Sequence, residues 1–379
     1  MNKLKKWVKN ECLPRIVFIP FIVFKIIPVP FGIFNNFSKK LNEKKSTVLC
    51  IEAGAKGWES IEFKELHQSA CEYIDTDSVH KVVIQRDDCY VSQIKKAIIE
   101  LHPTHYLYDP RTGNQKWYVG IWQSFKVAWL LHIYGVVPIV LLTDLAFRNW
   151  RAQSAVVTSK RGTVIACIAH REISPIFPHR RLLAPSTMPL SMKTMGYLDD
   201  LYDRRPKDFT GLNKAVFTGS LYEPRTTILK NIANELESRG CELDFKGRKM
   251  GSSRMSDDEY WKILSHSAII ITTADQLESN HSDWTWIMHL LYRYLEVLAA
   301  GALLIAPEVP GIRRYFIPGE HFIPFTSTTD AAEQIEYYLS HNEERERIAQ
   351  QGRAQAKALV KARTFWMIVD SSLGKDSIT

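Results

Sequence analysis

Hydrophobic positions along this chain follow two alternating rhythms. Short apolar runs, which suit strands, are followed by stretches in which apolar residues recur every three or four positions, which suit helices. The first half predicts strands at Thr47–Glu52, Lys81–Gln85, Thr104–Tyr108, Val136–Thr143 and Thr163–Ile168, with helices over Ser60–Tyr73, Ser92–Leu101 and Gly120–Tyr134. Val136–Thr143 (VVPIVLLT) is almost wholly apolar, as expected of a parallel strand covered on both faces. Residues 196–214 (GYLDDLYDRRPKDFTGLNK) are charged, interrupt the alternation and read as a linker. The rhythm then resumes with strands Ala215–Thr218, Glu242–Lys246, Ala268–Thr273 and Leu303–Ala306. Helices Thr226–Arg239, Ser256–His266 and Trp286–Ala300 lie among them, and a helical tail runs from Asp330 to about Val369. Strands alternating with helices predict an α/β protein with two Rossmann-like parallel-sheet domains. These domains are residues 46–195 and 215–365, followed by a tail at 366–379. Two such domains joined by a linker are expected to bind ligand in a cleft, at the carboxyl ends of the strands.

Composition adds that a large core is available, since 45% of the chain is apolar and 24% charged. Six cysteines are scattered without a C-x-x-C pair, which argues against a zinc site or disulfide scaffold and fits a reducing compartment. The net charge of +8 is uneven: residues 1–45 hold ten Lys/Arg against Glu11 and Glu43, and the rest of the chain balances. Composition therefore gives the body no basic face, and no nucleic-acid partner is expected.

In the basic N-terminal segment the longest uncharged apolar run, Ile16–Phe24, contains Pro20 and falls well short of the ~20 residues needed to span a bilayer. Lys and Arg mixed with Trp7, Phe and Ile suit a segment lying in the headgroup layer of an anionic membrane. On that reading the protein is cytoplasmic and peripheral on the inner face of the membrane. The other reading packs residues 1–45 onto the protein or a second copy.

Three signals in the second half carry candidate chemistry. Phe217-Thr-Gly219-Ser-Leu-Tyr-Glu-Pro-Arg225 places a glycine turn and an arginine between a strand and a helix, where a phosphate is favoured. Leu243-Asp-Phe-Lys246-Gly247-Arg248-Lys249 ends a strand with a cationic cluster suited to a diphosphate, or to a solvated loop. Arg293-Tyr-Leu-Glu296-Val-Leu-Ala-Ala-Gly301 puts a cation and a carboxylate on one helix face, either as a ligand pair or as a surface ion pair.

Together with Pro310-Gly311 and Tyr315-Phe-Ile-Pro-Gly319, this ordered set resembles the C-terminal domain of GT-B glycosyltransferases. The likeness is to the group-1-like and spore-maturation-like bacterial branch, and runs from about Lys214 to Phe365. It implies that Glu296 binds the ribose of a nucleotide-sugar and Arg293 lies near the phosphates, with Gly219, Arg225 and Lys246 also at the donor. Many retaining members carry a glutamate eight residues before the ribose glutamate; Met288 stands there, so the resemblance does not imply a retaining mechanism.

An inverting transferase needs a group to take the proton of the acceptor hydroxyl. Asp144, directly after the apolar strand Val136–Thr143, is the candidate base, and a helix N-cap is its alternative role. Asp109 and His170 occupy analogous strand ends, Gly54 and Gly57 after the first strand form either a sugar- or phosphate-facing loop or a plain βα turn, and Glu278, His281 and Asp283 add polar groups. Asp75-Thr-Asp77 precedes a strand and reads as a polar turn, so no metal or other cofactor is expected. The expected activity is sugar transfer from a nucleotide-diphosphate donor to a glycan or lipid-linked acceptor, as in surface polysaccharide or glycolipid assembly. A nucleotide-sugar epimerase of the same fold and a non-catalytic glycan- or nucleotide-binding protein are the alternatives.

Overall fold

The computed structural model describes residues 47–55, 60–84, 89–110, 117–142, 162–167, 181–205, 214–249, 255–274, 288–374 and 378. They form two compact units: residues up to Ser186 together with those from Trp366 onward, and Thr187–Phe365. Asp144, Gly57, His170, Glu278, His281, Asp283 and the segment 1–45 lie outside the described residues.

The first unit is built on strands β1 (Leu49–Ala55), β2 (Val79–Ile84), β3 (His105–Tyr108), β4 (Val137–Leu142), β5 (Thr163–Ala166) and β6 (Leu182–Leu183), interleaved with helices α1 (Ile61–Tyr73), α2 (Tyr90–Leu101) and α3 (Trp117–Ile133). All pairings are parallel, in the order β2-β1-β3-β4-β5-β6. Every residue of β4 is buried, as its unbroken apolar run requires. Gly162 precedes β5 with φ +86°, and a Cβ there would collide with the Pro138 carbonyl, so only glycine allows the two strands to approach.

The second unit contains α4 (Met192–Asp203), β7 (Lys214–Leu221), α5 (Arg225–Ser238), β8 (Glu242–Lys249), α6 (Asp257–Ser265), β9 (Ile269–Ile271), α7 (Arg293–Ala300), β10 (Leu303–Ala306) and β11 (Ile323–Pro324). Helices α8 (Thr328–Ser340), α9 (Asn342–Lys361) and α10 (Thr364–Leu373) follow. The sheet is parallel, in the order β11-β10-β9-β7-β8. One core cluster joins α5 (Ile228, Leu229, Ile232) to β9, β10 and α8 (Ile335). In both units the first two strands of the sheet and the third lie in the order 2-1-3. The crossover direction therefore reverses between β1 and β3, and again between β7 and β9. Ligands of such sheets bind outside the carboxyl ends of the strands at this switch point.

Three expectations from the sequence are corrected. The segment 196–214 begins as helix: α4 is capped by Ser191, whose hydroxyl accepts from Thr194 N at 3.1 Å, and buries Met195, Leu198 and Leu201. Those three apolar residues recur every third position among charged ones, which makes a narrow helical stripe that average polarity conceals. The helix expected from Trp286 begins only at Arg293, and the described residues 288–292 before it are not helical. The apolar residues leading into it hide the boundary, because the Tyr292 hydroxyl is tied to the Pro189 carbonyl at 2.9 Å by a contact remote in sequence. The strand expected at Thr163–Ile168 ends at Ala166.

The last helix, α10, returns to the first unit. Trp366 Nε1 donates to Ser69 Oγ at 2.9 Å, its ring lies 6.3 Å from that of Tyr73, and the Tyr73 hydroxyl donates to Asp370 at 3.3 Å. Among the described residues no helix is long and apolar enough to cross a membrane.

Candidate functional site

The carboxyl ends of β7 and β9 flank the switch point of the second sheet. β7 reaches it with Thr218 and Gly219, and β9 is followed by the buried Thr272 and Thr273. Gly219, within the last part of β7, has φ +135°, a conformation that side-chain-bearing residues rarely adopt.

Arg293 opens α7 and reaches back to β7, where it donates to the Thr218 hydroxyl. Its guanidinium also lies 3.6 Å from Glu296 and 5.1 Å from the centre of the Tyr260 ring. Glu296 is buried, at 5% exposure. The neighbouring arginine gives this buried carboxyl group a cationic partner. Helical spacing of three brings the two side chains together, and the small Ala299 and Ala300 let α7 lie fully buried.

Arg225 opens α5 and spans the switch point. Its Nε donates to Thr273 Oγ1 at 3.3 Å and its Nη1 to the Ser220 carbonyl at 3.2 Å, while the guanidinium stacks 4.5 Å from the Tyr222 ring. Two contact groups therefore stand at the carboxyl ends of β7 and β9: Arg293 with Thr218 and Glu296, and Arg225, at the first turn of a fourteen-residue helix, with Thr273. A helix N-terminus and paired guanidiniums favour an anion, and a buried carboxylate accepts hydrogen bonds from hydroxyl groups.

Of the residues expected from the sequence, Arg293 and Glu296 meet in one group, Arg225 stands in the other, and Gly219 lies on β7 beside Thr218. Lys246 stands apart: it is opposite Thr218 in register but on the edge strand β8, and its ammonium pairs with Asp244 at 3.1 Å. Asp244 also holds Lys214 at 3.1 Å. Burial raises the Asp244 carboxyl, but the hydrogen bonds from Lys214 and Lys246 outweigh it and leave it below the usual range. In the first unit Asp109 follows β3 and is buried. Thr218, Thr273 and Tyr260 are the members that the sequence did not single out. Among the described residues no group of three His, Cys, Asp or Glu side chains converges as metal ligands.

At the first unit's own switch point the buried group is Glu52 on β1, which accepts from the Tyr90 hydroxyl at 3.0 Å. Burial first, and the nearby Glu52 carboxyl second, push the Tyr90 and Tyr106 phenols well above their ordinary range.

Residues 227–364 match the family model described as glycosyl transferase-like. Both parallel-sheet units together have the fold of the GT-B glycosyltransferases. An α-glucosyltransferase solved with UDP and a 13-mer DNA containing an HMU base is similar over 85% of this chain and 99% of its own, with 10% identity and a TM-score of 0.56. Alr3699/HepE of Anabaena, solved with UDP-glucose, is similar over 86% of this chain and 99% of its own, with 12% identity and a TM-score of 0.53. A glycosyltransferase from Rickettsia africae is similar over 88% of this chain and 100% of its own, with 11% identity and a TM-score of 0.50. No curated protein matches the chain in sequence.

Proposed function

We propose that the protein is a glycosyltransferase that takes its sugar from a nucleotide-diphosphate donor held by the second unit. The observation that carries this reading is the two contact groups, Arg293 with Glu296 and Thr218 and Arg225 with Thr273, at the switch point of a sheet lying largely within the glycosyl transferase-like segment. Glu296 accepts hydrogen bonds from the ribose hydroxyls of the donor. Arg225 and Arg293, with the amino terminus of α5, neutralise the diphosphate. In the transfer step the bond between the anomeric carbon and the diphosphate oxygen breaks and the nucleoside diphosphate leaves with its electron pair. Cations at the leaving group lower the barrier most when they are fixed beforehand, which the Thr218 and Thr273 contacts do for both arginines.

The acceptor hydroxyl loses its proton to a base, for which Asp144 is the proposed group, and the acceptor is a glycan or a lipid-linked saccharide. The basic apolar segment 1–45 accords with an acceptor displayed at an anionic membrane surface and with peripheral association from the cytoplasmic side. The UDP-glucose and UDP bound by two of the similar structures make UDP the first nucleotide to test.

Calorimetric titration with UDP checks the reading. Wild type should bind, and Glu296→Ala should bind at least tenfold more weakly, a loss of about 1.4 kcal/mol. Unchanged affinity for UDP, ADP and GDP in that variant would remove Glu296 from the site. Nucleotide release from a panel of sugar donors, stimulated by a glycan acceptor, separates transfer from epimerisation and from binding alone.

A further inference from the structure

The helix that presents Arg293 and Glu296 is held at its opposite end by a residue outside the candidate site. Arg205, just beyond the end of α4, donates from Nη2 to the Ala300 carbonyl at 2.8 Å and from Nη1 to the Gly301 carbonyl at 2.9 Å. These carbonyls form the carboxyl end of α7, where the helix dipole is negative and a guanidinium is favoured. The fork is itself positioned. Its guanidinium stacks 4.5 Å from the centre of the Tyr202 ring, and Arg353 of α9 stacks on the same ring at 4.0 Å. Arg353 pairs with Asp199 on α4, which also accepts from Lys357 at 2.9 Å. Gly301 completes the joint: it has φ +81°, and a Cβ there would come within 2.7 Å of the Tyr202 ring. Burial pulls the Arg205 guanidinium down to about 10, so it stays charged at neutral pH.

We propose that Arg205 is a positioning residue of the donor site, clamping the carboxyl end of α7 and so fixing where Glu296 and Arg293 stand. The inference rests on the assignment of those two residues to the donor. Its physical basis is the shortness of α7. At a rise of about 1.5 Å per residue, Glu296 lies only ~6 Å along the axis from Ala300. Residues 294–300 are all buried and Glu296 is one helical turn from Ala300, so loosening the carboxyl end of α7 also loosens the position of Glu296. Lysine in place of Arg205 keeps the charge and can reach one carbonyl, whereas alanine removes both bonds.

The test compares wild type, Arg205→Ala, Arg205→Lys and Glu296→Ala in the full chain. Amide hydrogen exchange of residues 293–301 is read without ligand, and UDP affinity is read by calorimetry. Arg205→Ala should speed exchange in α7 more than in β7 or β10 and weaken UDP about tenfold, with Arg205→Lys recovering part of both. Unchanged exchange in α7 overturns the clamp, whatever the affinity. Faster exchange with unchanged UDP affinity, in a protein whose binding Glu296→Ala still weakens, confines Arg205 to a structural role and also overturns it. Failure of Glu296→Ala to weaken UDP refutes the donor-site assignment instead, and the positioning role falls with it; that result does not depend on the Arg205 variants. If Arg205→Ala does not fold, Arg205→Lys alone decides, because loss of one bond must still move both readouts.

Discussion

Gly219 lies where a side chain would stand against Arg293: a Cβ built on it comes to 3.5 Å from Nη2 of that arginine and 3.4 Å from the Phe217 ring. Both are ordinary contact distances, so the obstacle to substitution is the backbone at φ +135° and not the space. Gly219→Ala should therefore destabilise the second unit by roughly 1–3 kcal/mol, because a side chain is strained at this backbone conformation. Thr218, whose hydroxyl receives Arg293, is the preceding residue of the same strand, so UDP affinity should fall as well. Chemical denaturation and calorimetry on one preparation check the pair; full stability in the variant would mean that the strand relaxes without cost.

Arginine at position 293 serves three partners at once: the Thr218 hydroxyl, the Glu296 carboxylate and the Tyr260 ring. A planar fork can do this and a lysine ammonium cannot. Arg293→Lys should consequently weaken UDP almost as much as Arg293→Ala, by tenfold or more. Near-wild-type binding in the lysine variant would reduce the arginine to a point charge.

Lys246 is expected to matter less. Its ammonium is held by Asp244 on the edge strand, one strand further from the switch point than Thr218. Lys246→Ala should change UDP affinity by less than about threefold, within the range of an exposed charge pair. An effect as large as that of Arg225→Ala would show that the lysine leaves Asp244 when nucleotide binds.

Gly352 supports α7 from behind. A Cβ on it would approach Leu298 Cδ2 to 2.8 Å and come still nearer the backbone oxygen of His321, which cannot move aside as a side chain can. Gly352→Ala should cost about 1–3 kcal/mol of overpacking despite the better helix propensity of alanine, as a lowered thermal midpoint would show.

His321 gives the second unit a pH dependence. Burial lowers its pKa below the ordinary value of 6.5, against a smaller opposing effect of Glu320, and its Nδ1 accepts from the Ile317 amide at 2.9 Å. The unfolded chain therefore binds a proton more readily than the folded one. The stability contributed by neutral His321 is complete above the unfolded pKa and is lost as pH falls toward the folded pKa. The thermal midpoint should drop between about pH 7.5 and pH 5.5, and drop less in His321→Asn, if this group is responsible. Equal slopes in both proteins would assign the dependence elsewhere.

What the sequence disclosed follows from distance along the chain. Arg293 and Glu296 are three residues apart, so helical periodicity alone places them together, and the apolar run of β4 announces its own burial. Arg225 and Thr273 meet only because β9 lies beside β7 rather than beside β8, an ordering that local patterns do not encode. The start of α7 was hidden for a related reason, since Tyr292 is tied to Pro189, far back in the chain. Charged residues of α4 likewise masked a stripe of three buried ones, and with it Arg205.

The Trp366–Ser69 bond has a consequence for the order in which the protein is made. The strands of the first unit precede the second unit in the chain, yet the helix that covers Ser69 and Tyr73 is translated only after the second unit. At a synthesis rate of ~5–20 residues per second, tens of seconds pass between translation of Ser69 and translation of Trp366. The second unit can complete its own sheet in that interval, while the first waits with the surface of α1 uncovered. Nascent chains of this protein are thus expected to be most exposed to chaperones and proteases at their amino-terminal half, the reverse of the usual sequence in which the first domain made is the first one finished.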